Sequence, residues 1–508
     1  MSNRIRSRFR AATLGEVTAF NPLSLFAESE QGWLYDATIS DLSGLFQDSA
    51  GTIPVTAVEQ PVGLMLDTSK GLALGSELVT NGDFPTNTTG WSACPDNAGS
   101  PTFTSVSGTG HLSASNGNAG WNQSFTTVIG QWYKVAGTLA TVSGTPDAIR
   151  LRKQDNNTIA GATNAVNIAV AAATASGYFI ATSTTTYIQL QVNMLSGTAV
   201  VSFDNISCKS IAGNHATQAT SAARPTLSAR YNLLLATTTL STQNVTTVAT
   251  NYTLRFTGAG SITLSGTGSG TYNAGSHTVT CMAGTLTLTV SGTVTDADLR
   301  PANDGVSLPV YQRVNTATDY DTTGFPLYLR FDGSDDFMVT GSINFTATDK
   351  MSLFAGVRKT NDTVSIIAEL STSYALANPG SMFLVTGTSP TAADRYSTSS
   401  RGSASPQNGH SAYDRTGSAP ESAVLVGTHD IAGNLSTISR NGVAGTSGIA
   451  VKGTGNFGNY PLYIGRRAGT SLPFNGRIYF PFVGLGRLAT AGEVTNMETF
   501  LNTRNKVY

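Results

Sequence analysis

The chain has 508 residues, enough for about three domains at ~150 residues each. Only 12% of the residues are charged, the net charge is −1 and hydrophobic residues make up 40%. This balance excludes a strongly basic, whole-chain nucleic-acid binder, and no apolar run reaches the ~18 residues of a membrane-spanning helix. The place of the missing charge is taken by Thr, Ser, Ala, Asn and 53 glycines. That mix favours strands and tight turns over helical bundles, so an all-β, multi-domain fold is expected. Cys94, Cys208 and Cys281 show no CxxC spacing and are expected to be free, half-buried thiols. A Cys94–Cys208 bridge is the alternative, since both fall in one module.

Residues 1–30 read as an arm that docks on a partner. Arg4, Arg6, Arg8 and Arg10 alternate with Ile5, Ser7 and Phe9, and an apolar patch broken by Pro22 runs from Phe20 to Phe26. A solvated tail is the alternative reading. Residues 31–77 form a collar of short strands and turns, with one helical turn expected over Ser40–Phe46. It is too small for its own core and should pack on a neighbouring chain or module.

Residues 78–211 are the first globular unit. Strand patterns occur at Trp121–Phe125, Trp132–Ala136, Ala148–Arg152, Tyr187–Val192 and Val200–Ile206. Gln189 and Gln191 alternate with Ile188, Leu190 and Val192, which marks a strand with one polar face. Several such strands joined by Gly/Asn/Ser turns predict a sandwich. Residues 212–235 read as a linker. Residues 236–300 alternate threonine with apolar residues and predict a small β-unit with a Thr-covered face.

Residues 301–508 form the second large unit, with strands at Leu327–Met338 (a strand, a turn and a strand), Met351–Arg358, Val364–Leu370, Ala423–Val426, Leu462–Arg467 and Asn475–Phe482. A final helix is expected. Thr490 and Glu493 fit a capping box, and Val494, Met497 and Leu501 share one face, which should cover a strip of sheet.

NGDF at residues 81–84 with Trp91, the aromatic strands and FDNIS at 203–207 resemble a jelly-roll carbohydrate-binding module. FDGSDD at 331–336, YIGRR at 463–467 and FNGRIYF at 474–480, followed by a helix, resemble a concanavalin-like (laminin-G-like) sandwich. The order of arm, collar (LFQDSAGTIPVT…QPVGLMLD), jelly roll, Thr-rich unit and C-terminal sandwich resembles phage virion proteins of tail fibres and receptor-binding spikes. The resemblance implies a non-enzymatic virion component, a homotrimer that binds other virion proteins through residues 1–77 and contacts host-surface glycan, pilus or protein. A capsid-surface fibre or decoration protein is the second reading, and a polysaccharide depolymerase or esterase the third. The N-terminus lacks the apolar stretch of a signal peptide, which fits a virion component released by lysis. The resemblance also implies structural Ca²⁺ near Asp83 and Asp204, and no other cofactor is expected.

Catalytic candidates are few. A concanavalin-type glycanase needs a pair of carboxylates about the scissile bond. The strand holding Glu369 carries only one acid. Asp332, Asp335 and Asp336 have turn composition, with Ca²⁺ binding as the alternative. The five histidines include no HExxH or His-x-x-x-His pair and are expected at the surface or satisfied. His429 and Asp430 should point to opposite faces of a strand. Flat sugar faces stack on aromatics while amides take the hydroxyls, which singles out Trp121, Trp132, Tyr133, Tyr187 and Gln189. Alternation sends Trp132 and Tyr133 to opposite faces, and Trp91 reads as core. The long polar segment 387–420 offers Arg395, Tyr396, Arg401, His410, Tyr413, Asp414 and Arg415 as recognition residues. Of these, Arg395, Tyr396 and Tyr413 are the candidates for ligand contact.

Overall fold

The computed structural model describes residues 20–26, 30–169, 173–372, 378–387, 394–404 and 411–508. Arg4, Arg6, Arg8, Arg10 and His410 lie outside the described residues. The fold is all-β, built from antiparallel sheets with one α-helix among the described residues, Ala491–Asn505.

The C-terminal sandwich is assembled from three separated stretches of chain. Its helix-side sheet has eight strands, and its far sheet has nine. The collar strand Gly32–Tyr35 pairs with the second half of Asn475–Leu485, while Tyr328–Asp332 pairs with the first half of the same strand. In the far sheet, Leu45–Phe46, Leu64–Met65 and Ala216–Thr217 extend the sheet beyond Met338–Asn344. Thr226–Ser228 then pairs with Tyr328–Asp332 in the helix-side sheet. Residues 32–66 and much of 212–235 are thus part of the sandwich, neither a separate collar nor a linker, while Leu74–Glu77 pairs with the jelly-roll strand Thr198–Ile211. The apolar collar side chains fill its core: Trp33, Tyr35, Leu45, Val62 and Met65 join Leu227 and Tyr231 against Phe331, Phe345 and Phe482. Trp33 lies so close to Gly484 that a Cβ there would overlap the indole. Ser40–Phe46 holds tight turns in place of a helical one, with Asp41 accepting from the Ser43 N–H and hydroxyl.

The Phe20–Phe26 patch also finds its burial within the chain. Leu25 is buried with Met497, Leu501 and Val483, the Phe20 ring meets Phe500 edge-on at 5.9 Å, and Arg487 donates to the Leu25 carbonyl. Phe20 and Phe26 are therefore anchors onto the sandwich. The helix is capped as its sequence predicts, with Thr490 accepting from the Glu493 N–H and Glu493 accepting from the Thr490 N–H. Met497 and Leu501 lie buried against the helix-side sheet.

The jelly roll and the Thr-rich unit are insertions into this sandwich. Residues 78–211 form two facing sheets around Phe84, Tyr133, Leu151, Leu190, Val201 and Phe203. The Thr-rich unit is a five-stranded sheet in which Thr250–Gly266 is bent between Phe256 and Ser261. The first half of that strand pairs with Thr295–Pro301, the second with Gly284–Ser291.

Each insertion is closed at its base by buried polar side chains. At the jelly roll, the fully buried Asp67 accepts from the N–H groups of Leu34, Ser69 and Asn214, and its own N–H donates to His215 Nδ1. Asn214 reaches back to the Gly32 carbonyl, and the Tyr35 hydroxyl donates to the Asn214 carbonyl. Burial drives the His215 pKa down to about 3, so the ring stays neutral and an acceptor at Nδ1. At the Thr-rich unit, Gln312 Oε1 accepts from the N–H groups of Tyr231 and Asn232, while Nε2 donates to the carbonyls of Ala229 and Asp321. Asn232 Oδ1 accepts from Leu234 and Leu299, and Nδ2 donates to Ala297 and Gln312. Both amides use two donors and two acceptors, their full capacity.

Replacing Gln312 with leucine strands two buried N–H groups and two carbonyls. The expected cost is about 3 kcal/mol or more, since each orphaned buried group costs roughly 1–3 kcal/mol. Urea unfolding should report the loss, and hydrogen exchange should rise first at residues 229–234 and 297–314.

Candidate functional site

The richest polar surface built by regular structure is one face of the jelly roll. Strand Thr185–Asn193 turns Ile188, Leu190 and Val192 into the module core, so Tyr187, Gln189, Gln191 and Asn193 occupy the opposite face. The register places Gln154, Arg152 and Arg150 beside Tyr187, Gln189 and Gln191 on one flank. Ser124, Asn122 and Gly120 stand beside the same three residues on the other flank. Directly opposed residues share a face, so this is one continuous field of amides, hydroxyls and guanidiniums.

Part of that field is roofed. The segment around Cys94–Asn97 and the loop Asn156–Ala160 meet above it, joined where Asp96 accepts from the N–H groups of Ile159 and Ala160 at 2.7–2.8 Å. Asn97 pairs with both backbone groups of Gly120 through its amide. A side chain at Gly120 would press on Cys94 and Ile159, so glycine leaves room for the roof. The face holds the roof from below. Asn122 and Gln189 donate to Cys94 Sγ at 3.2 and 3.0 Å, and Asn122 also donates to the Asn157 carbonyl. Gln154 and Gln189 both donate to the Thr158 carbonyl. Gln189 is fully buried and acts as a tether of the roof.

The roof crosses the face from Gly120 to Gln154 and leaves two corners uncovered. One holds the half-buried Tyr187 beside the exposed Ser124. The other holds Arg150 and Arg152, both half-buried, beside Gln191 and Asn193. Beneath and beside the roof, Gln154 Oε1, Gln189 Oε1, Asn193 Oδ1 and Arg152 Nε are buried without a protein partner. These atoms are closed to solvent, so contact with a ligand falls to the half-buried residues of the two corners.

The other predicted ligand residues are dispersed. Trp121 is half-buried and turns inward, packing on Phe103 at 5.8 Å. Tyr133 lies in the jelly-roll core, and Trp132, on the opposite face, is buried against Phe46, Leu64, Tyr178 and the His215 ring. Trp132 is therefore part of the seat between jelly roll and sandwich. A cleft of about 580 Å³ opens beside it, bordered by Lys153, Asn164, Asn167 and Tyr178. Lys153 is already committed to Asp155, Thr182 and the Asn164 carbonyl. A second cleft, of about 450 Å³, lies between the Thr-rich unit and the sandwich, where Asn244 faces Arg230, Arg330, Asp332 and Arg477.

In the distal segment, Arg395 stacks on Tyr413 at 5.0 Å, but Tyr396 is fully buried in the sandwich core. Tyr396–Arg401 is a buried strand, not a loop; its Ser/Thr side chains carry no apolar alternation to announce it. Residues 388–393 and 405–410 lie outside the described residues.

Asp83 is exposed, and Asp204 accepts from the backbone and side-chain amides of its neighbour Asn205. They are not gathered into an acidic cluster. Among the described residues, Asp332, Asp335 and Asp336 have carboxylate oxygens within 4.8 Å of one another. Asp332 accepts from the N–H groups of Ser334 and Asp335, as a turn aspartate does. Burial and the neighbouring carboxylates raise the Asp336 pKa to about 7. Glu369 is buried and ion-paired with Arg467 at 2.6 Å. His429 is buried between Thr398 and Ser436, and burial lowers its pKa to about 3. Asp430 approaches Lys350 at 3.6 Å.

Arg150 and Arg152 did not stand out in the sequence as site residues, although they alternate with Ile149 and Leu151 and so declare a shared face. What isolates them is the lack of carboxylate partners among the described residues, which only the fold reveals.

No family model matches the chain, and no curated protein does. Solved structures similar to parts of it include a bacteriophage CBA120 tailspike protein 4 enzymatically active domain, 18% identical over 27% of this chain, TM-score 0.21. The chain spans only 21% of that tailspike domain's length. A CBM4 structure is 14% identical over 26% of this chain and 99% of its own, TM-score 0.19. A carbohydrate-binding protein of Bacteroides ovatus, so described provisionally, is 10% identical over 75% of this chain and 79% of its own, TM-score 0.24. At such TM-scores the likenesses carry no argument, and the fold rests on the sheets described above.

All three thiols are free and buried, so the Cys94–Cys208 bridge is not formed. Burial raises the pKa of each, which disfavours the reactive thiolate. The folded protein should react with Ellman's reagent at none of its cysteines over minutes, and at three in denaturant.

Proposed function

We propose that the protein is a non-catalytic, glycan-contacting component of a phage particle, a tail-fibre or receptor-binding spike subunit. The observation that carries the glycan part is the jelly-roll polar face. It sets the half-buried Tyr187 ring beside the exposed Ser124 hydroxyl, and the half-buried Asn193 amide beside two half-buried arginines. That is the pairing of hydrogen bonds and apolar ring contact by which sugars are held. The non-catalytic part is supported by the state of Glu369, whose carboxylate is spent on Arg467 and Ser371. The particle part rests on the resemblance in module order. Attachment is assigned to residues 1–19, because Phe20 and Phe26 are occupied by the sandwich. A homotrimer would turn weak single sites into avid binding.

A glycan array probed with the full chain tests the first part. Binding is expected, and Tyr187→Ala should weaken it about tenfold or more while leaving the thermal transition in place, since Tyr187 lies outside the core. A blank array, or binding untouched by Tyr187→Ala, would remove this face as the contact. Immunogold labelling of intact particles tests the second part. Label at the tail tip supports the spike, label over the head favours a capsid fibre, and no label rejects the virion assignment. New reducing ends from host polysaccharide would overturn the non-catalytic reading.

A further inference from the structure

We propose that the uncovered corner at Arg150 and Arg152 binds the carboxylate of an acidic saccharide, so that the jelly roll prefers uronate- or sialate-bearing glycans to neutral ones. This inference rests on the glycan-contact reading of the same face.

The two arginines are two residues apart on the strand Ala148–Gln154 and so project from the same face. Their cross-strand neighbours are neutral amides, Gln191 opposite Arg150 and Gln189 opposite Arg152. Three acids of the module are committed elsewhere, and neither Asp83 nor Asp204 forms an ion pair with these arginines. Asp96 holds the roof, Asp155 takes Lys153, Asn164 and Thr182, and Asp147 accepts from the Leu195 N–H. Arg152 donates from Nη1 to Gln191 Oε1 at 2.9 Å, and its Nε is buried without an acceptor. Burial and the like charge of Arg150 both weaken the hold of Arg152 on its proton. A half-buried cation beside another cation, with no carboxylate among the described residues against it, is unfavourable until an anion arrives. A planar carboxylate matches the guanidinium fork in geometry and charge. The half-buried Asn193 flanks the same corner and would offer its amide to sugar hydroxyls. Charge thus selects the acid group, and the amides select the polyol that carries it.

The test uses the full chain and two matched pairs: 3′-sialyllactose against lactose, and tetragalacturonate against its methyl ester. Titration calorimetry should find at least one acidic member binding ten times or more tighter than its neutral partner, with affinity falling as salt rises. Arg150→Gln with Arg152→Gln should abolish that preference. Arg150→Gln alone, at a position that makes no hydrogen bond to the roof, should reduce it several-fold and serves as the control if the double variant melts early. Arg152→Lys should recover part of it at most. If neutral members bind as tightly as acidic ones, or the preference survives in Arg150→Gln, the inference falls while the glycan reading stands. Absence of binding by either acidic member up to millimolar concentration also overturns it; the neutral sugars of the array judge the broader reading separately.

Discussion

The whole arrangement depends on satisfying the backbone where the chain leaves the sandwich and returns to it. Those crossing points are buried, so each N–H and carbonyl there must find a partner or cost stability. Water is excluded, and regular pairing has stopped. The molecule answers with side chains that act as small pieces of backbone. Asn232 and Gln312 each give two donors and two acceptors, and join residues 229–234, the strand Thr295–Pro301 and Asp321 into one network. Asp67 works differently, gathering several N–H groups around one carboxylate. Its burial raises its pKa, and the amide donors oppose that shift. The sandwich can therefore carry two large insertions without opening its own core.

Local patterns in the sequence were enough for many of the strands, the two sandwiches and the capped helix. Those features follow from alternation and from neighbours three or four residues apart. The insertions were not legible. That Gly32–Tyr35 completes a sheet with Asn475–Leu485 is a fact about residues at opposite ends of the chain, and nothing in either segment names the other. Residues 212–235 look like a linker by composition, yet Ala216 and Leu227 are core residues because they occupy sheet positions, and Tyr231 joins the same core from the segment that follows. The strand Tyr396–Arg401 escaped notice for the opposite reason: serine and threonine hydroxyls let a fully buried strand look polar.

The site divides in the same way. The alternation of Tyr187, Gln189 and Gln191 exposed the polar face directly. The roof was invisible, because it depends on Asp96 meeting Ile159 and on Cys94 meeting Gln189 across long stretches of sequence. It changes the meaning of Gln189 from contact residue to tether and confines the accessible surface to two corners. The aromatic residues were misjudged in the other direction. Trp121, Trp132 and Tyr396 are large apolar groups in a protein with several cores and one substantial seam between modules, and burial claimed them first.

The strand shared between the collar and the C-terminal region also sets the order in which the molecule can assemble. The jelly roll and the Thr-rich unit draw their cores largely from their own stretches of chain, so each can collapse before its base is closed by Asp67 and His215 or by Asn232 and Gln312. The sandwich cannot, because Trp33 and its strand have no partner until Gly484 is made. During synthesis the collar's apolar side chains stay uncovered while two finished modules form behind them. Long-range closure of this kind is slow and exposes sticky surface while it waits. The sparse charge of the chain gives that intermediate little electrostatic protection, so the yield of folded protein should depend on how quickly the last strand follows the rest.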